Sequence, residues 1–311
     1  MAYTSGNTIE ATHYNGFVTS VNALWGVGTS NRGLGQTTTL SAVSAGNTVT
    51  AAQWATLLDR SRSVSDQYGQ DGSITVDTVS NPTTGDSIAA YATIAADIAT
   101  LDAAAVAVTT APSYVTAVTD TASTAGNFKV LITQTDTLTF ASAAGMRYFF
   151  NAGGKVTTSY ALSGHTSRTK ANEWATLVSA CGTYQLFNTT GGKTGGSGSP
   201  TTNLTTTGFW DLGTTDTVMF KQTEDSSPYT ANFLQVEMKL NAVPGSSTVL
   251  TIKTTWNDAS TDSTYDAAAS TNLDIVDGTK VTTFSYEASA ATYITATWGT
   301  PAWATITNTE S

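Results

Sequence analysis

The sequence predicts an α+β chain in two parts: a small helical repeat region over 1–118, then a mainly antiparallel, jelly-roll-like β-sandwich over 119–311 carrying two short helices. Two observations carry this prediction. Gly6-Asn7-Thr8-Ile9-Glu10-Ala11-Thr12-His13-Tyr14 returns forty residues on as Gly46-Asn47-Thr48-Val49-Thr50-Ala51-Ala52-Gln53-Trp54, with a shortened echo at Gly85-Asp86-Ser87-Ile88-Ala89-Ala90-Tyr91. Beyond about Gly126 the apolar residues change to period two. Leu234, Val236, Met238 and Leu240 alternate with Gln235, Glu237 and Lys239, as a strand with one buried face requires.

Each repeat reads as a turn, an apolar residue and an amphipathic helix led by an aromatic. In the first copy Thr8 is placed to cap the helix and Glu10 lies in its first turn, where the helix dipole favours an anion. Tyr14, Phe17, Val18, Val21 and Leu24 share one face, and Trp25-Gly26 end it. The second copy repeats the stripe with Trp54, Leu57, Leu58 and Ser61, and sets Asp59, Arg60 and Arg62 outward. The third opens after Asn81-Pro82, a turn signal, and carries Ile88, Tyr91, Ile94, Ile98 and Leu101. Alanines continue it to about Val108 and suit close helix packing, including packing between subunits. Tyr14, Phe17, Trp25, Trp54, Leu57 and Tyr91 are the docking residues this pattern nominates.

In the β region Leu250, Ile252, Thr254 and Trp256 form a second alternating run. Shorter strands are expected at 128–132, 137–140, 155–162, 183–187, 218–222, 281–286 and 293–298, about the number an antiparallel sandwich needs. A helix is expected over 143–150, stopped by Gly153-Gly154. Another starts near Thr169 and places Trp174, Leu177, Val178 and Cys181 on one face. The Gly/Ser/Thr stretch 191–207 reads as a loop.

The 311 residues suffice for two cores. Charged residues are 12% of the chain, against about 25% in ordinary globular domains. Disorder is a poor account, because 40% of residues are hydrophobic, with seven Trp, twelve Tyr and ten Phe. Low charge with abundant Thr and aromatics suits β structure and surface-exposed proteins such as those of virions. A net charge of −10 argues against nucleic acid or an anionic membrane as partner, since both select basic patches. Cys181 is the single cysteine, so no intrachain disulfide forms. The opening Met1-Ala2-Tyr3-Thr4-Ser5-Gly6 lacks the pattern of a signal peptide, and no apolar run approaches a membrane span; synthesis in the cytoplasm is expected.

Reactive constellations find little support. Gly192-Lys193-Thr194 resembles the end of a phosphate loop, but Phe187 stands where the first glycine belongs and no helix follows. His13 occupies the position of Gln53 in the second repeat, so its polar size matters more than its ring, and His165 follows Gly164 in a turn that reads as solvated. No Gly-x-Ser-x-Gly elbow occurs. Cys181 on an apolar helix face reads as inert. Asp258, Asp262 and Asp266 allow a calcium site or a solvated hairpin tip; the spacing is not that of an EF-hand, and the tip is the favoured reading. Asp274, Asp277 and Gly278 shape a turn before Val281. No catalytic, cofactor-binding or metal residue is assigned and no cofactor is expected. Aromatics that could stack on sugars are first of all candidates for the sandwich core.

Several stretches resemble tailed-bacteriophage virion structural proteins, the tail and tail-fibre-like family. They are Ala2-Tyr3-Thr4-Ser5-Gly6-Asn7-Thr8-Ile9 with its aromatic helix, Arg147-Tyr148-Phe149-Phe150-Asn151-Ala152-Gly153-Gly154, Glu173-Trp174, and Gly208-Phe209-Trp210-Asp211-Leu212. Phe220-Lys221-Gln222, Ser227-Pro228-Tyr229-Thr230-Ala231-Asn232 and Thr255-Trp256-Asn257-Asp258 complete the set, so the likeness covers nearly the whole chain. The resemblance implies a non-enzymatic structural component of the virion, assembled in the host cytoplasm and released by lysis. A tail-associated fibre or appendage subunit is the first expectation, its N-terminal helices docking onto neck, tail or baseplate proteins. Many phage fibres are trimeric, which favours a homotrimer, although no useful heptad run is present. The alternatives are a receptor module at the tail tip, binding host surface glycan through aromatics such as Trp210, Tyr229 or Tyr265, and a neck or head decoration protein. An enzyme of the parallel β-helix kind is disfavoured, since no repeat of that length exists.

Overall fold

The structure, a computed structural model, describes residues 10–28, 30–127, 130–260, 265–266, 271–272, 275–304 and 306–310. The fold is α+β with a β-sandwich, and the chain divides into two compact units. One comprises Met1–Val115, Ser142–Gly154 and Ala288–Gly299; the other comprises Thr116–Ala141, Lys155–Glu287 and Thr300–Ser311.

The first unit holds α1 (Ala11–Trp25), α2 (Ala51–Gln67), α3 (Tyr91–Val106) and α4 (Ala143–Asn151). Helices α1, α2 and α3 begin forty residues apart and bury the same face. Tyr14, Trp54 and Ile94 are equivalent, as are Phe17, Leu57 and Asp97, then Val18, Leu58 and Ile98, then Val21, Ser61 and Leu101, all buried. Thr50 caps α2 in a reciprocal box with Gln53, each side chain bonding the other's backbone N–H. In α1 the cap position belongs to Glu10 rather than to Thr8, which lies outside the described residues, and His13 stands where Gln53 does.

Helix α4 starts at a Ser142 cap and belongs to this unit, although its sequence position suggests the β domain. Its polar residues explain the placement. Arg147 donates to the Gly28 carbonyl, and Asn151 Nδ2 donates to Gly33 O at 2.8 Å. Tyr148 lies against Gly35, where φ is +74° and a Cβ would come within 2.4 Å of the ring. Residues 293–298, expected as a strand, form none. Gln36 instead clamps Thr295 with both ends of its amide: Nε2 donates to Thr295 O and Thr295 N donates to Oε1, each at 2.9 Å.

The second unit is built from β1 (Val118–Thr124), β2 (Leu131–Thr139), β3 (Lys155–Ser163), α5 (Thr169–Cys181), β4 (Thr183–Leu186), β5 (Gly191–Thr194), β6 (Thr202–Asn203), β7 (Thr217–Thr223), β8 (Phe233–Leu240) and β9 (Val249–Asn257). After these come β10 (Tyr265–Asp266), β11 (Thr271–Asn272), β12 (Thr279–Glu287), β13 (Ala302–Trp303) and β14 (Thr307–Glu310). One sheet runs β1-β12-β3-β4-β5 and the other β13-β2-β9-β8-β7-β6, with β14 also on β2 and with β10 and β11 pairing apart. All pairings are antiparallel. A bulge between Val218 and Phe220 turns both Met219 and Phe220 inward.

The inner faces meet around Trp256 of β9, whose Nε1 donates to Thr282 Oγ1 of β12 at 3.2 Å. Tyr160 of β3 stands edge-on to the same indole. Both sides of the sandwich are closed by asparagines, which protects edge strands from pairing elsewhere. Asn308 Nδ2 donates to Ser123 O and Thr124 Oγ1 of β1, and Asn203 Oδ1 of β6 accepts Lys193 N of β5. Thus 191–207 is not simply a loop: two short strands within it finish one edge of each sheet.

Candidate functional site

The first unit carries the residues nominated for docking. Helices α1, α2 and α3 bring their N-terminal residues together, and the connections show why. Asn22 donates Nδ2–H to Leu40 O at 2.9 Å and accepts Leu40 N at 2.8 Å; Asn15 treats Val43 identically at 2.8 Å and 2.8 Å. Seven helical residues rise about 10 Å and three extended residues span about 10 Å, so the connection runs back along α1 in register with these amides. Arg62, forty residues after Asn22, holds the next connection through the Val76 and Val79 carbonyls and Asn81. Asp102, forty further, pairs with Arg32 at 2.6 Å. One helical position therefore pins a connection in every repeat, by three different chemistries.

The N-terminal ends of the helices gather an aromatic cluster. Tyr14 and Phe17 lie 5.5 and 6.1 Å from Trp54, and Tyr91 lies 4.9 Å from both Phe17 and His13, measured between ring centroids. Tyr91 is the first residue of α3 and half-buried, so it packs across the cluster; Ile94 takes the place that Tyr14 and Trp54 fill in the earlier helices. Trp25 lies at the other end of α1 beneath the Arg60 guanidinium, 4.4 Å away.

Tyr14, Phe17, Trp25, Trp54 and Leu57 are all buried. The helical stripe that nominates them for docking is the unit's own interior. Periodicity identifies a covered face, but not whether the cover is another helix of the same chain or a partner. A recess of about 360 Å³ opens beside Trp54, lined by Val49, Ala51, Pro82, Thr84 and Ile88 among others. A smaller one of about 190 Å³ shares Trp54, Pro82 and Ile88. Trp54 Nε1 has no hydrogen-bond partner among the described residues. Asp86 on the rim accepts Thr83 N and Oγ1, both at 2.8 Å, and these bonds hold its carboxyl below the ordinary range.

In the second unit, three motif stretches converge on one buried cluster. Trp174 stacks on Trp256; Tyr229 lies below the Lys170 ammonium; Asn232 Oδ1 accepts Ser260 N at 2.9 Å; and Lys170 pairs with Asp258 at 2.8 Å. Asp258 is 3% exposed. Its lysine partner and its burial correct the solvated-tip reading at this residue. Asp262 and the Asp266 side chain lie outside what is described, as does Asp274. Asp277, expected to shape a local turn, accepts Thr166 N at 3.0 Å, a contact between distant parts of the chain.

The remaining reactive candidates have structural surroundings. Cys181 is enclosed, and burial pushes its thiol well up. His165 is half-buried, with Nδ1 at 3.0 Å from Thr166 O. Lys193 lies in a strand, where Nζ donates to Ser197 O and Gly198 O. Tyr229 is buried, Trp210 is half-buried against Phe209, and the Tyr265 side chain is outside the description. Asp136 and Glu224 are buried carboxyls whose pKa values burial raises, Asp136 to about 6. Among the described residues no cluster of three or more His, Cys, Asp or Glu is placed to hold a metal ion, and no helix is long and apolar enough to cross a membrane.

The amide clamps of Asn15, Asn22 and Gln36 are absent from the sequence-level candidates. A signal existed: asparagine is a poor helix-interior residue, so two of them seven apart on α1 call for a tertiary role. Comparison with protein-family models, curated proteins and solved structures yields no match to this chain.

Proposed function

We propose that the chain is a structural component of a tailed-bacteriophage virion, a tail-associated fibre or appendage subunit anchored to the particle by its helical unit. The observation that carries this reading is where the phage-like stretches fall. Arg147, Tyr148 and Asn151 tie α4 to the 28–35 segment, while Trp174, Tyr229, Asn232, Trp256 and Asp258 make one interior cluster. In this chain the stretches that resemble that family hold the fold together, and a structural role of that kind supports the reading of a virion subunit. The partners are neck, tail or baseplate proteins and further copies of the chain, a homotrimer being favoured; the reading assigns no catalysis and no cofactor.

The test is mass spectrometry of purified particles from a lysate in which the gene is expressed, with immunogold labelling of the chain. Label along or at the base of the tail is the expected result. Label on the head would move the protein to a decoration role, and its absence from particles would overturn the proposal. Light scattering on the purified chain, with resistance to SDS before boiling, tests the trimer separately. Because Tyr14 and Trp54 are interior, Tyr14→Ala and Trp54→Ala should abolish incorporation through loss of the helical fold while the β unit stays folded. Incorporation of the double variant at wild-type level would remove the helical unit from the anchoring role.

A further inference from the structure

Two lysines lie with their ammonium groups inside the second unit, and both face the same stretch of chain. Lys170 is fully buried in the first turn of α5. A cation there opposes the helix dipole, so its placement needs a compensating anion. Asp258 supplies one at 2.8 Å, and Lys170 also donates to the Ser260 carbonyl at 3.3 Å. Lys280, equally buried on β12, donates to the carbonyls of Val276 at 3.0 Å, Gly278 at 3.2 Å and Gly126. Residues 258–260 and 276–278 are the two feet of the connection between β9 and β12.

The feet are also joined through the approach to α5. Thr166 N donates to Asp277 at 3.0 Å, four residues before Lys170 reaches Asp258. At Gly278, φ is +85° and a Cβ would come within 2.6 Å of Ser163 O and 2.8 Å of His165 N. The second foot is therefore seated against the same approach.

We infer that Lys170 and Lys280 are built-in cations that fix the neck of the 258–278 segment, each occupying an oxygen-lined seat of the kind a bound metal ion fills in other loops. The ligand set of each seat suits a primary ammonium. Lys170 meets a carboxylate, a carbonyl and, 5.8 Å away, the Tyr229 ring. Lys280 meets the carbonyls of Gly126, Val276 and Gly278. Burial lowers the Lys280 pKa to about 8, while Glu310 and Asp277 pull the other way. Burial and the two carboxylate charges thus act in opposite directions on an ammonium that donates to backbone carbonyls. A tethered ammonium needs no ion from the medium, so the segment is anchored without a metal, whatever particle the chain belongs to.

The test uses the full chain with Lys170→Ala and Lys280→Ala, following thermal unfolding by tryptophan fluorescence and thermolysin cleavage within 258–278 by mass spectrometry. EDTA and calcium should leave the wild-type midpoint unchanged. Each variant should unfold roughly 10 °C lower, as expected when a buried ionic partner is removed, and should be cut faster within the segment. Methylammonium chloride should restore both readouts in part, and tetramethylammonium chloride at equal ionic strength should not, because it cannot donate hydrogen bonds. If a variant does not fold, refolding yield in the two salts replaces the midpoint. Equal effects of the two salts, or a calcium-dependent rise in the wild-type midpoint, would overturn the inference.

Discussion

Trp174 of α5 stacks on Trp256 of β9, with ring centroids 5.8 Å apart and planes inclined by 21°. Since Trp256 also donates to Thr282 on the facing sheet, the pair links helix, sheet and sheet through two side chains. Truncating it should be among the costliest changes in the second unit. Trp174→Ala should lower stability by about 3–5 kcal/mol, the range for losing a buried large aromatic. Trp256→Phe keeps most of the ring volume and loses the bond to Thr282, so a smaller loss of about 1–3 kcal/mol is expected. Urea titrations compare the two; equal losses would mean that the indole N–H, rather than ring packing, dominates.

Asn22 is the corresponding test in the first unit. Its amide satisfies both backbone groups of Leu40, so Asn22→Leu strands a donor and an acceptor at once. About 1–3 kcal/mol should be lost for a stranded buried group, with the Leu40 position part-shielded and the loss toward the lower figure. Asn22→Asp keeps the acceptor for Leu40 N but sets a carboxylate against Leu40 O, and should be no better. Amide hydrogen exchange at 38–44 reads the effect locally: faster exchange confined to this connection is expected, and unchanged exchange there would show that the clamp does not hold it.

The sequence pattern marks some of these elements plainly and hides others. The long alternating runs that became β8 and β9 are plain, because one face of each is wholly apolar; so are the three repeat helices. β2 was not legible as one strand. Its inward residues are Ile132, Gln134, Asp136 and Leu138, and the two polar members split the pattern into separate short runs. β1 escaped for a related reason: Val118–Thr124 is an edge strand whose inward set includes only one fully buried residue, Ala122. At 293–298 the reverse happened. Apolar alternation suggested a strand, yet Gln36 satisfies the backbone there without a sheet. The residues nominated for docking share a face that the unit itself buries, since sequence period reports a covered face without naming what covers it.

Asp136, one of the residues that hid β2, should also impose a pH dependence. Burial, with Asp120 nearby, raises its pKa from 3.8 to about 6, against opposing backbone hydrogen bonds from Thr137 and Ala304. The folded state therefore holds this proton more tightly than the unfolded chain. The neutral carboxyl is tolerated without penalty below about pH 4; stability falls as pH rises from about 4 to 6, and the loss then stays constant. Asp136→Asn should remove that slope and gain up to about 3 kcal/mol at neutral pH, the free energy of a shift of about two pH units. Denaturation midpoints measured from pH 4 to 7 on both proteins decide it. A wild-type slope retained in the Asn variant would assign the effect to another group, Glu224 being the next buried carboxyl with a raised pKa.

Cys181 offers a probe that needs no substitution. It ends α5 on the face shared with Trp174, Leu177 and Val178, 1% exposed, and burial keeps the thiol protonated, with Glu224 adding to the effect and Lys193 opposing it. A thiol-disulfide reagent attacks only thiolate that it can reach. The native chain should therefore be silent to such a reagent at pH 8, and labelling should follow opening of the second unit. Trp174→Ala, which removes the packing above the same helix face, should accelerate labelling in proportion to its destabilisation, whereas Asn22→Leu in the first unit should leave the rate unchanged. Rapid stoichiometric labelling of the wild-type protein would mean that α5 does not lie on the sandwich as described.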